Sequence, residues 1–117
     1  MIIKRYVRES TAMKNYLIDF KNMEWETPAP GVRYKAYTSG NHKMRLVEFT
    51  EEFVEADWCT KGHTGYILEG NLLVDFNGRL STFGVGDGFF IPEGEESKHK
   101  GKVAKGEKAL IILFEKV

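Results

Sequence analysis

Polar and apolar positions alternate along most of this chain, and the alternation changes step at a few glycines and prolines. From Lys43 to Phe49, Met44 and Leu46 fall on one side and Lys43 and Arg45 on the other, the period-two pattern of a half-buried strand. Tyr66 to Phe76 is long enough for two paired strands or one bent strand, with the break at Glu69-Gly70-Asn71. Asn77-Gly78 follows, the strongest short hairpin signal because both residues tolerate positive φ, so Arg79 to Phe83 is predicted as the return strand. Gly84, Gly86 and Gly88 mark a tight turn, and Phe89-Phe90-Ile91, closed by Pro92, predicts a short buried strand. Lys105-Gly106 marks another turn, and Ala109 to Phe114 predicts a final, fully buried strand. Short strands separated in this way predict an all-β sandwich or barrel.

The start of the chain reads differently. Met13, Tyr16, Leu17 and Phe20 lie at helical spacing, with Ser10 or Thr11 available as an N-cap, which predicts a short N-terminal helix. Ile18 and the aromatics equally suit an extended segment. Pro28-Ala29-Pro30-Gly31 ends this lead-in. The expected organisation is one domain over residues 1–117, with a lead-in at 1–30 and a barrel core at 31–117. A chain of 117 residues suits one domain with its own core.

Charge and composition narrow the function. Lys plus Arg and Asp plus Glu are 17 each, so no overall field draws the chain to nucleic acid or to an anionic membrane. The run Lys98, Lys100, Lys102, Lys105 and Lys108 has no interleaved aromatics, which argues against a nucleic-acid surface. The longest apolar run, Ala109 to Phe114, is far short of a membrane span. The opening residues hold no signal-like apolar stretch, and Cys59 is the single cysteine, so the expected location is cytoplasmic.

The candidate chemistry lies between Asp57 and Gly101. Residues i and i+2 of a strand share a face, so Asp57 and Cys59 are expected to project together, with Trp58 facing away. A turn at Gly62 returns His63 beside them, and Ser97 and His99 share a face if extended. Asp57-x-Cys59, three residues, His63, six residues and Gly70 precede Gly86, five residues, Pro92-x-Gly94, two residues and Ser97. These spacings resemble the paired signature of the cupin superfamily, whose first motif is H-x-H, three or four residues, E, six residues, G. Its second motif is G, five residues, P-x-G, two residues, H, three residues, N. The resemblance implies a cupin-type double-stranded β-helix, or jelly-roll barrel, with a pocket near Asp57, Cys59, His63 and the loop after Pro92. It also implies a homodimer.

The departures lie at the ligand positions. The two family histidines of the first motif correspond to Asp57 and Cys59, the glutamate to His63, the last histidine to Ser97 and the terminal asparagine to Gly101. Carboxylate, thiolate and imidazole remain able to bind a metal, and His99 is available where Ser97 is a poor ligand. The candidate metal set is therefore Asp57, Cys59, His63 and His99, which suits a divalent ion such as Zn2+ better than harder ions. Asp57 and His63 are the candidate acid–base residues. Each has a plainer alternative: Cys59 as a small buried hydrophobe, Asp57 as a turn residue, His99 as a solvated histidine between Lys98 and Lys100. Two functions remain open. One is a metal-dependent enzyme acting on a small polar metabolite by isomerase, lyase or hydrolase chemistry. The other is a metal-free barrel that binds or senses a small molecule.

Overall fold

The computed structural model describes residues 16–117. The described residues form eight strands: β1 (Glu26–Ala29), β2 (Val32–Ser39), β3 (His42–Thr50), β4 (His63–Phe76), β5 (Arg79–Gly84), β6 (Gly88–Ile91), β7 (Lys100–Lys102) and β8 (Lys108–Lys116). All pairings are antiparallel and run in the order β1-β2-β3-β8-β4-β5, with β6 and β7 also on β4. The result is the curled double sheet of a jelly roll.

β4 belongs to both sheets. Its first half pairs with β6 and β8, its second with β5 and β7. Between Ile67 and Glu69 the register with β8 slips, so Leu68 is an extra residue that bends the strand. Gly70 follows at φ 75°, where a Cβ would run into the Lys108 carbonyl oxygen. The interruption predicted at Glu69-Gly70-Asn71 is thus a bend in one strand. Asn77 and Gly78 both take positive φ, and Phe76 pairs with Arg79, which is the predicted two-residue hairpin.

The core is formed by the inward positions Val47, Ile67, Val74 and Ile111, with Leu72, Ile91, Ala109 and Leu113 around them. Several sequence expectations change here. On β3 the fully buried Val47 lies on the same side as Lys43 and Arg45, so the charged side of that strand is the inner one. Met44 and Leu46 lie on the outer face, which is itself partly covered: Lys35 Nζ donates to the Phe20 carbonyl at 2.7 Å and stacks over Trp25 with Arg33. Of Phe89-Phe90-Ile91 only Ile91 is buried, while Phe90 is 73% exposed, because alternation on an edge strand turns it outward. β8 buries Ala109, Ile111 and Leu113 and leaves Phe114 half exposed, so it is buried on one face. β1 lies within the segment assigned to the lead-in. Of the predicted helix, Met13 lies outside the described residues; Tyr16 to Asp19 carry no helix, and Phe20–Asn22 form one 3-10 turn.

Candidate metal centre

Cys59 and His99 are brought together by the backbone. They form an isolated antiparallel bridge, with Cys59 N donating to the His99 carbonyl at 2.9 Å and His99 N donating to the Cys59 carbonyl at 3.0 Å. Directly opposed residues of such a pair project to the same face, so the thiol and the imidazole both enter the barrel. His63 opens β4 beside them, its ring edge-on to that of His99 with centroids 5.2 Å apart. The metal-binding atoms of Cys59, His63 and His99 all lie within 4.8 Å of one another.

Both histidines are held by one nitrogen. His63 Nδ1 donates to Glu115 Oε2 at 2.8 Å, and Cys59 Sγ stands 3.6 Å from its Nε2. His99 Nδ1 donates to the Ser97 carbonyl at 2.9 Å, which leaves Nε2 as its free nitrogen. A hydrogen bond at one nitrogen selects the tautomer and presents the other as a lone pair, the arrangement found behind metal-bound histidine. Glu115 is itself clamped by Arg45, Nε to Oε1 at 2.6 Å and Nη2 to Oε2 at 2.9 Å. Burial raises the Glu115 pKa, but the hydrogen bonds from His63 and Arg45 and their charge outweigh it and lower the value from 4.5 to about 2. The carboxylate is therefore ionised at neutral pH.

The donor set fits zinc. An ion about 2.3 Å from sulfur and about 2.0–2.1 Å from nitrogen, at a tetrahedral angle, separates the two donors by about 3.6 Å. The observed Cys59–His63 distance is that value. The 4.8 Å limit on the whole trio is wider, so the three side chains would have to move inward to hold an ion.

The predicted residues divide clearly. Cys59, His63 and His99 meet. Asp57 does not join them: it sits exposed at a bend, away from the cavity lining, because the chain from Phe53 to Trp58 forms no strand and the alternation rule has nothing to act on. Ser97 contributes its carbonyl, not its hydroxyl, to the site. His99 is only 5% exposed despite its lysine neighbours. Those lysines turn away: Lys98 and Lys100 lie over the Trp58 ring, at 5.5 and 4.7 Å. Trp58 is absent from the cavity lining, as expected, and Tyr66 is 46% exposed on the outer wall. Sequence reasoning missed Glu115 and Arg45. The signal for Glu115 was present: it continues the inward series Ala109, Ile111, Leu113.

The site opens into a cavity of about 1140 Å³ lined in part by Phe49, Leu72, Val74, Phe89, Ile111 and Leu113. Among the described residues no helix is long and apolar enough to cross a membrane.

Comparison with known proteins agrees with this architecture. No protein-family model matches the sequence, and no curated protein matches it. Solved structures do. The polyketide cyclase RemF from Streptomyces resistomycificus superposes with a TM-score of 0.69 at 18% identity, covering 98% of this chain and 80% of that one. KdgF from Halomonas sp. gives 0.67 at 20% identity, covering 87% and 93%. An RmlC-like cupin from Shewanella frigidimarina gives 0.63 at 18% identity, covering 92% and 93%. At these identities the likeness shows the fold, and this chain has the fold of the cupin superfamily.

Proposed function

We propose that the protein binds a divalent metal ion, zinc by preference, through Cys59, His63 and His99, and takes a small molecule into the barrel above it. The observation that supports this best is the pair of histidines, each tied at Nδ1 to an oxygen and grouped with a thiol. Metal sites need such outer partners to fix ring orientation, and the Cys59 thiol stands 3.6 Å from the His63 Nε2 that this leaves as a lone pair. An ion held there supplies Lewis acidity to an oxygen of the bound molecule. The protein's own part is to hold and orient. Glu115 keeps the His63 proton at Nδ1, Arg45 keeps Glu115 ionised, and the apolar wall limits water. Isomerase, lyase or hydrolase chemistry suits this arrangement. The similar structures include a polyketide cyclase and, in addition, a hydroxypropylphosphonic acid epoxidase, so fold alone selects no reaction.

The test is elemental analysis of untagged protein, with Cys59→Ala and His63→Ala alongside. About one ion per chain in the parent and a loss in both variants is the expected result. No ion after dialysis against zinc and nickel overturns the metal reading and leaves a metal-free binding or sensing barrel.

We also propose that two copies pair through the outer face of the β6-β4-β8 sheet. Phe90 and Phe114 both pair with Thr64 in register, so they flank it and adjoin Tyr66 in one exposed apolar patch. The zero net charge lets two copies approach without repulsion.

A further inference from the structure

The cavity sorts its polar and apolar groups by depth. Along β3 the inward series is Lys43, Arg45, Val47, Phe49, and along the antiparallel β8 it is Glu115, Leu113, Ile111, Ala109. Lys43 pairs with Glu115, Arg45 with Leu113 and Val47 with Ile111, so both strands run from charged at one end to apolar at the other. His63, at the start of β4, stands at the charged end, one residue before the Thr64–Phe114 pair. Much of the rest of the wall is apolar: Phe49, Leu72, Val74, Phe89, Ile111 and Leu113 line it. A volume of about 1140 Å³ lies just above the usual range for ligand pockets, and a small, fully hydrated metabolite leaves most of such a wall unpaired.

The charged end holds a cation without a partner. Lys43 stands opposite Glu115, but the Glu115 oxygens are already taken by Arg45 and His63. Among the described residues Lys43 makes no ion pair, and neither do Lys61 and Lys116, which also line the cavity. Two further carboxylates line the wall. Glu93 is exposed at the rim, and Glu55 accepts the Gly101 N–H at 2.8 Å on the far side of His99. A carboxylate at Glu55 repels an acid from that end and leaves the Lys43 end as the place for one. We infer that the barrel takes an amphipathic acid: an apolar, preferably aromatic, body in the well and a carboxylate head on Lys43. This rests on the barrel being the ligand site, as proposed above, but not on the metal.

The experiment is calorimetric titration of the purified protein with naphthoate, naphthylmethanol and glucuronate, with zinc content measured on the same samples. Naphthoate is expected to bind about tenfold more tightly than naphthylmethanol, the worth of one hydrogen bond to a charged group. Lys43→Gln is expected to remove that ratio while leaving naphthylmethanol binding and zinc content unchanged. Equal affinity for acid and alcohol, a ratio that survives Lys43→Gln, or tighter binding of glucuronate than of naphthoate overturns the inference. The two readings fail separately: an acid preference in zinc-free protein sinks only the metal centre, and bound zinc with no acid preference sinks only this one.

Discussion

Glu115 offers the sharpest test of the site's electrostatics. It accepts three hydrogen bonds, two from Arg45 and one from His63, and its side chain is 10% exposed. Glu115→Gln keeps the shape, removes the charge and sets an NH2 against donors. The pKa falls from 4.5 to about 2, a difference of about 2.5 units. At about 1.4 kcal/mol per pKa unit this is on the order of 3 kcal/mol of stability at neutral pH. Solvent screening of the partly buried carboxylate makes this an upper figure.

The pH dependence follows from the sign of the shift. A carboxylate whose folded pKa is depressed contributes fully above its unfolded pKa, here about 4.5, and loses the contribution as pH falls toward about 2. Glutamine stands in for the protonated acid at every pH. The parent should therefore exceed Glu115→Gln by about 3 kcal/mol at pH 7 and by less than half of that at pH 3, by proton linkage between the two pKa values. Urea unfolding of both proteins at the two pH values measures this directly. A difference at pH 7 below about 0.5 kcal/mol, the ordinary size of a surface change, refutes the clamp. So does a difference that stays constant between the two pH values.

The other predictions concern single positions. Asp57→Asn should leave metal content and zinc affinity unchanged, since Asp57 is exposed and off the cavity wall; a loss in elemental analysis would return it to the site. Gly70→Ala should destabilise by about 2 kcal/mol or more, because φ 75° and the Lys108 carbonyl both exclude a Cβ; an unchanged denaturation midpoint would contradict the bend. Phe90→Lys should halve the mass seen by light scattering if two copies pair through the outer face; a parent that is already monomeric would end that proposal.

How much of this was legible depended on whether a rule met its condition. Asn77-Gly78 was legible because the turn is set by two residues whose conformations tolerate little else. Cys59 and His63 were legible because motif spacing fixes where the chain crosses the barrel. The inner side of β3 was not, because its apolar Met44 and Leu46 and its charged Lys43 and Arg45 are both half covered, one by the lead-in and one by the barrel. Alternation reports that two faces differ and leaves open which one is inside. The Val32–Ser39 strand alternates clearly, with Val32, Tyr34 and Ala36 opposite Arg33, Lys35 and Tyr37, and was not among the strands predicted. Asp57 failed for the opposite reason: the rule was applied to a segment that is not a strand.

At the ligand positions of the cupin signature this chain carries Asp57, Cys59, His63 and Ser97. Judged by motif position, the fourth donor is lost at Ser97. The structure places His99, two residues on, beside Cys59 and His63, and the backbone shows how. Ser97 ends a 3-10 turn, so its carbonyl points back to His99 Nδ1, and His99 then meets Cys59 across a closed pair of hydrogen bonds. The thiol thus takes its position from the same bridge that places the imidazole. A substitution at Cys59 that keeps the backbone intact should leave His99 buried, whereas one that breaks the bridge should expose both. Cys59→Ser and Cys59→Pro separate these cases: serine retains the N–H to His99, and proline removes it. If the bridge governs the site, the His99 ring protons of the metal-free protein keep their chemical shifts in Cys59→Ser and move in Cys59→Pro. Equal movement in both variants would show that the side chain, rather than the bridge, holds the trio together.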